Sequence, residues 1–353
     1  MRKKVLYIDY LSPKGHVGFN RAQIDALNKL ECDTYYVFRE EYAKELGLNK
    51  GVLEIPHSFY KSGKIISRVF YALALHYIKR KTKGTYYDAV IFASFESLSI
   101  SLCIIYKGAY LINHNNIRDL DNGIKRFVYK HISNYYTHVV FNALCQEKLR
   151  CNGINASVII PHGFAPLPVF GNSDILSKNY LTEKRYLFFP AKGLSAAQIT
   201  NMVANDQNLL DYCKRNGVRI VTRYKDIRNS ATTSIPGYLS NSDYYTLLKN
   251  SIASVLCYDN QFKYRVSGIL FECMAMDLPA VAFHNEALEI YNEYLRTGKL
   301  TFSNISELCD MIDAIVKSEY PNYYKDLSAI SDSCDAWSKN LNITKSNAKD
   351  NNK

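Results

Sequence analysis

The stretch KYRVSGILFECMAMDLPAVAF, Lys263–Phe283, decides how this chain is read. It is mostly apolar, yet Ser267 and Gly268 stand near its start and a carboxylate, Glu272, lies in its middle. The spacing predicts a mostly buried helix over Ile269–Met276 and a buried strand over Ala280–Phe283. Asp277, Leu278 and Pro279 separate the two, because proline biases the residue before it away from helical geometry. A glutamate inside such a helix costs free energy unless something pairs with it. A helix N-terminus offers free N–H groups and a positive dipole end, and a glycine there lets an anion approach closely. Gly268 and Glu272 are four residues apart and share a helix face. Two readings stand: Glu272 accepts from a ribose one turn below an anion site, or Ser267 is a plain cap and Glu272 is paired within the protein.

The rest of the chain supplies the setting. Strands are expected at Lys4–Tyr10, Thr34–Phe38, Asp88–Phe95, Tyr110–Asn113 and Thr137–Asn142, with helices between them, which implies a parallel sheet covered on both faces. VIIPHGF (Val158–Phe164) leads into APLPVFGNSD, the densest Pro/Gly patch, and the domain boundary is placed there. Alternation then restarts with strands Tyr186–Pro190, Val218–Thr222 and Ala253–Tyr258, and Ser306–Lys317 and Asn322–Ile330 are expected as closing helices. The expectation is an α/β chain of two doubly wound, Rossmann-like domains, residues 1–163 and 164–338, with the last helix free to pack back on the first domain. In such sheets ligands bind outside the carboxyl ends of the strands, here in a cleft between domains. Residues 339–353 are expected to be a disordered tail.

Composition narrows the partners. The chain has 353 residues, 47% of them hydrophobic, enough for two cores. No apolar run reaches the roughly 18–20 residues of a spanning helix. The first residues, MRKKVLYIDY, fall short of the roughly 7–15 apolar residues of a signal-peptide core and are read as a first strand. Nine scattered cysteines, without C-x-x-C or zinc spacing, are read as buried thiols of a reducing compartment, so a cytoplasmic location is expected. The net charge of +11 points to an anionic partner, although 29 tyrosines and many Lys and Asn also suit an A/T-rich genome. Nucleic acid is not expected, since no binding module is recognised and the charge is read as spread out. Lys61–Gly84, KSGKIISRVFYALALHYIKRKTKG, is an apolar helical stretch with basic flanks. It either covers the sheet with its lysines snorkelling outward or lies peripherally on an anionic membrane at the inner face of the plasma membrane.

The segment SGILFECMAMDLPAVA resembles the donor-domain signature of GT-B glycosyltransferases, in particular the GT4-like group, whose pattern runs E-G-F-G-x-x-x-x-E-A-M-A-x-G-x-P-V-V. Glu272, Met274, Ala275, Pro279 and Val281 fall in register. VIIPHGF looks like the family's linker strand, and YLFFPAKGL like the first strand and basic loop of the donor domain. The resemblance implies a GT-B fold and transfer of a sugar from a nucleotide-diphosphate sugar to a glycan or lipid-linked acceptor, in bacterial surface polysaccharide synthesis, with no cofactor and no metal. It also implies a donor site of Glu272 on the ribose, with Ser267, Gly268 and Lys192 at the diphosphate. The family's first glutamate is Tyr264 here, its first glycine positions are Arg265 and Ser267, and its later glycine is Asp277. The missing carboxylate puts the retaining outcome in doubt, and Arg265 is a substitute source of charge.

Other residues carry paired readings. Lys192, after a strand end, neutralises a departing diphosphate or is a solvated loop lysine; Arg223, after VRIVT, is a second basic residue of the same kind. Gly18 in GHVGFNR resembles the family's N-domain glycine loop or is a tight turn. His114, directly after the strand AYLIN, and His16 are the candidate catalytic residues near the sugar, against surface histidines; His162 is read as a hinge. Asp119 and Asp121 look like a D-x-D metal motif but are expected to cap the next helix. Two alternatives are carried. One is a nucleotide-sugar epimerase of the same fold, with Asp9, Glu96 and Asp119 as possible acids and bases. The other is a partner subunit without turnover.

Overall fold

The apolar runs at the strand positions are buried on both faces, as an all-parallel sheet requires. Val5 to Asp9 of the first strand are all buried. The computed structural model describes residues 2–48, 51–61, 63, 65–166, 173–182, 185–225, 227, 229–318 and 322–345. The chain divides into two compact units, residues 1–166 with 329–353, and residues 167–328. Most of the Pro/Gly patch expected at the boundary, residues 167–172, lies outside the described residues.

The described strands of the first unit are β1 (Lys3–Asp9), β2 (Cys32–Arg39), β3 (Val52–Ile55), β4 (Ala89–Phe92), β5 (Tyr110–Ile112), β6 (Thr137–Val140) and β7 (Ser157–Ile159). They form one sheet in the order β3-β2-β1-β4-β5-β6-β7, and every pairing is parallel. The order reverses between β1 and β4, which opens a crevice at their carboxyl ends where doubly wound sheets place ligands. Helices start where polar side chains satisfy free N–H groups. Glu96 accepts from Ser99 N, Asn122 from Lys125 N and Asn142 from Cys145 N. The cap at Asn122 corrects the expectation for Asp119 and Asp121. Both lie in the preceding 3-10 turn, Asn116–Asp121, and pair with Lys125 and Lys148 instead.

The second unit repeats the pattern with β8 (Arg185–Phe189), β9 (Val218–Thr222), β10 (Thr232–Ser234), β11 (Ala253–Leu256), β12 (Ala280–Phe283) and β13 (Thr301–Phe302). Their order is β10-β9-β8-β11-β12-β13, again parallel throughout, with the switch between β8 and β11. Leu187, Leu209, Ile220, Val255, Val281 and Ile312 meet in one core that joins sheet and helices. The helix of the opening segment runs Gly268–Ala275, capped by Ser267. Just beyond it Asp277 takes φ +50, the left-handed geometry that commonly ends helices and favours glycine. Its Oδ1 accepts from the backbone N–H of Tyr323 at 2.9 Å and of Tyr324 at 3.2 Å, so the carboxylate is engaged where the GT4-like pattern has glycine.

Those same contacts correct one expectation. Asn322–Ile330 is not a closing helix: Tyr324 bridges to Leu295, and only Ser328–Ser331 form a single turn. The closing helix is Cys334–Leu341, which packs on helix Val17–Asn28 of the first unit. Trp337 is fully buried there and donates to Gln23 Oε1 at 2.7 Å. The tail expected to be disordered from residue 339 is held through residue 345, with Ile343 buried and Glu31 N donating to Thr344 O at 2.9 Å. Residues 346–353 lie outside the described residues.

Candidate functional site

In the first unit the crevice residues gather at the carboxyl ends of β1, β4, β5 and β7. Asp9, the last residue of β1, is fully buried and accepts from Ser12 N at 2.8 Å, from Asn20 Nδ2 at 2.7 Å and from Ser94 Oγ. His16, in the turn after β1, lies against His114, which follows β5, with ring centroids 4.0 Å apart. Phe19 meets His114 edge-on at 4.5 Å and His162, beyond β7, at 5.0 Å, and Phe141 completes the group. An apolar surround disfavours an imidazolium. Burial holds His114 well below its ordinary value, with His16 and His162 adding like-charge repulsion. His162 is lowered to about 4 by burial first. His16 is lowered by burial, with Asp9 pulling the other way.

The tautomer of His114 follows from its partner. Its Nε2 lies 2.9 Å from the Ala93 carbonyl, which can only accept, so Nε2 carries the proton. In the neutral ring Nδ1 then holds a lone pair. His16 Nδ1 is buried without a hydrogen-bond partner among the described residues. His114 Nδ1 is thus a proton acceptor, and burial makes both rings harder to protonate than a free imidazole. Gly18 sits within the first turn of helix Val17–Asn28, where an added Cβ would come 3.8 Å from Ala165. The ring of His162, read as a hinge residue, packs on Phe19 and Phe141, and the chain turns beside it at Gly163, whose φ is +75. Glu96 caps a helix and pairs with Arg68 at 3.2 Å. Asp119 takes a hydrogen bond from Ser97 and the ammonium of Lys125.

In the second unit the polar groups again collect beyond strand ends. Lys192, after β8, donates to the carbonyl of Gly237 at 3.3 Å, and Arg223, after β9, donates to the same oxygen at 2.7 Å. The loop between Lys192 and helix Leu194–Ala204 turns at Gly193, whose φ of +114 a residue with Cβ rarely adopts. Tyr224 ties that turn down by donating to Gly193 O at 2.9 Å. Burial lowers the Arg223 guanidinium from its ordinary value, against the pull of Tyr244 and Tyr224. Tyr244 in turn donates to Glu272 Oε2 at 2.6 Å, and Tyr245 to Oε1 at 3.2 Å. Burial raises the Glu272 carboxyl, and the two tyrosines partly offset this. Lys192 and Arg223 thus share the Gly237 carbonyl, and Arg223 also feels the charge of Tyr244, the partner of Glu272.

Ser267 Oγ accepts from Leu270 N at 3.2 Å and bonds Tyr258 at 3.0 Å, so it is committed to its cap. Gly268 is exposed, and an added Cβ would meet nothing within 4 Å. The helix N-terminus is thus open to solvent there. Arg265 is half-buried in the loop before that helix, its backbone N–H on Phe262 O. Tyr264 packs beneath the Lys263 ammonium. The sequence reading missed Tyr244 and Tyr245: they sit on helix Asn241–Lys249, and only the fold brings them to Glu272.

No protein-family model matches the chain, and no curated protein matches it by sequence. Solved structures do match. A Listeria monocytogenes protein assigned as a UDP-N-acetylglucosamine 2-epimerase is 12% identical over 90% of this chain and 89% of its own, with a TM-score of 0.62. The UDP-GlcNAc 2-epimerase of Methanocaldococcus jannaschii is 13% identical over 97% and 99%, with a TM-score of 0.58. Anabaena Alr3699/HepE, solved with UDP and glucose, is 11% identical over 96% of each chain, with a TM-score of 0.58. The chain has a GT-B fold. The likeness gives that fold and not the GT4-like group. It also corrects the expectation of glycosyl transfer: UDP-GlcNAc 2-epimerases recur among the structures that match nearly end to end.

Proposed function

We propose that this chain is a nucleotide-sugar epimerase that acts on a UDP-sugar and needs no acceptor. The observation that carries this reading is the convergence of Lys192 and Arg223 on the Gly237 carbonyl, with Arg223 in electrostatic reach of Tyr244, the tyrosine that holds Glu272. A diphosphate would compete for those two cations with charge-assisted hydrogen bonds. It would also meet the open helix terminus at Gly268. A carboxylate has roughly four lone-pair sites, and the tyrosines take two, which leaves Glu272 able to accept from ribose hydroxyls. UDP is bound in solved neighbours from M. jannaschii and Anabaena, which supports UDP as the nucleotide.

Epimerisation at the carbon beside the anomeric centre would take a proton from that carbon as the electron pair expels UDP, and return the proton on the opposite face as UDP re-adds, so it needs a base that is unprotonated at working pH. His114 Nδ1 suits that role, with the adjacent His16 as the second exchangeable site. Neighbouring imidazoles disfavour holding two protons at once, which favours handing one on. The test is incubation of the protein with UDP-GlcNAc and with UDP-glucose, without acceptor, followed by chromatographic separation of the sugar isomers. A second isomer of one nucleotide sugar, growing with time to a fixed ratio, is the expected result. Unchanged donor in both cases would overturn the reading.

A further inference from the structure

We propose that the face built by helices Ile66–Lys81, Ser97–Leu102 and Gly123–Ser133 docks this protein on an anionic lipid bilayer. The three helices pack side by side, the middle one touching both others. Each turns large apolar side chains to solvent. Ile66, Val69 and Leu73 recur along one stripe of the first helix, and Leu102 ends the second at 68% exposure. Ile124 and Phe127, three apart on the third, are 79% and 77% exposed. Single exposed hydrophobics need no explanation, but a set gathered on neighbouring helices marks an interaction surface.

Charge identifies the occupant. The basic residues are not spread evenly, contrary to the expectation from composition. From Lys61 to Tyr135 the chain has twelve Lys and Arg against four Asp and Glu, so eight of its eleven net positive charges lie in this segment. Three of the four acids are already in ion pairs, Glu96 with Arg68, Asp119 with Lys125 and Asp121 with Lys148. Lys79, Arg80, Arg126 and Lys130 are exposed and have no acidic partner among the described residues. Apolar side chains flanked by cations that no acid neutralises match a surface of acyl chains beneath anionic headgroups. A second copy is a poor fit, since a two-fold contact would set the same positive face against itself. A nucleic-acid backbone would answer the cations but leave the isoleucines and Phe127 without apolar partners. No helix among the described residues is long and apolar enough to cross a membrane, so the contact is along this face.

The test is co-sedimentation of the full chain with phosphatidylcholine vesicles and with phosphatidylcholine–phosphatidylglycerol vesicles. The intact protein is expected to pellet with the anionic vesicles, to stay in solution with the neutral ones and to be released by salt. Ile124→Ser with Phe127→Ser is expected to weaken partition roughly tenfold or more, since two large apolar groups no longer insert. Arg126→Glu with Lys130→Glu is expected to abolish the preference for anionic vesicles. These positions are exposed, and circular dichroism checks that each variant is folded. Equal behaviour with both vesicle types, or unchanged partition of both variants, would overturn the proposal. So would a dimer in sedimentation velocity that Ile124→Ser with Phe127→Ser dissociates, because the face would then be a contact between copies.

Discussion

Tyr244 donates its hydroxyl to Glu272 Oε2 across 2.6 Å, while Tyr245 reaches the other carboxylate oxygen at 3.2 Å. The glutamate that looks misplaced in an apolar helix is therefore paired inside the fold and still has acceptor capacity. Stability and binding should separate on substitution. Glu272→Ala leaves two part-buried hydroxyls without this acceptor, and a cost of about 1–3 kcal/mol is expected from thermal or urea unfolding. Glu272→Gln keeps the shape and one acceptor, so its unfolding should change less while UDP affinity falls roughly tenfold by calorimetry. A Gln variant that binds UDP as the intact protein does would remove Glu272 from the nucleotide site.

Lys192 and Arg223 share one carbonyl, and each should lose that partner to a diphosphate. Hydrogen bonds from charged groups contribute about 1.5–3 kcal/mol, so Arg223→Ala is expected to weaken UDP binding roughly tenfold to a hundredfold. Lys192, the more exposed of the two, should cost less. Uridine, which has no phosphate, should bind the intact protein and both variants alike. Equal losses for uridine and UDP would mean that the two cations do not read phosphate.

The imidazole cluster makes the fold sensitive to acid. His162 has a folded value lowered to about 4, against about 6.5 for an unperturbed imidazole. The unfolded chain takes up the proton first as pH falls, so the stability from this ring is fully present above about 6.5 and is lost as pH falls through about 4. Urea midpoints near pH 7 and near pH 5 should differ, and His162→Phe, which keeps an aromatic ring but does not titrate, should narrow that difference. An unchanged difference would assign the acid sensitivity elsewhere, for example to His138, which burial lowers to about 3.

Gln23 fastens the end of the chain to the first unit. Its Oε1 accepts from Trp337 Nε1 at 2.7 Å and Ser333 Oγ at 3.3 Å, and its Nε2 donates to His162 O at 2.8 Å. Gln23→Leu would strand these buried groups at a cost of about 1–3 kcal/mol or more. Trp337 fluorescence should then report its transition at lower urea than in the intact protein. An unshifted midpoint would show that packing alone holds the closing helix.

Much of the architecture was legible because long apolar runs alternate with helical spacing, and buried parallel strands leave that signature. β3, β10 and β13 were not, since four, three and two residues with no marked alternation carry too little period to read. Asn322–Ile330 looked helical from its local composition, but Tyr323 and Tyr324 are claimed by the Asp277 carboxylate in the three-dimensional fold. The same limit applies to the candidate site. Glu272 stands out as a charge in an apolar run, whereas Tyr244 and Tyr245 are two of 29 tyrosines with nothing local to mark them. The contact of His16 with His114 depends on strand order, because β1 and β5 are brought near each other only by the intervening β4.

The most direct test of the epimerase reading is proton exchange at the sugar. The protein is incubated with UDP-GlcNAc in deuterium oxide without acceptor and followed by proton NMR, alongside His114→Gln. The account predicts loss of one ring-proton signal through deuterium incorporation, in step with a second set of sugar resonances, and a much slower exchange in the variant. UDP bound tightly, with every ring proton of the sugar retained over the same time, would contradict it.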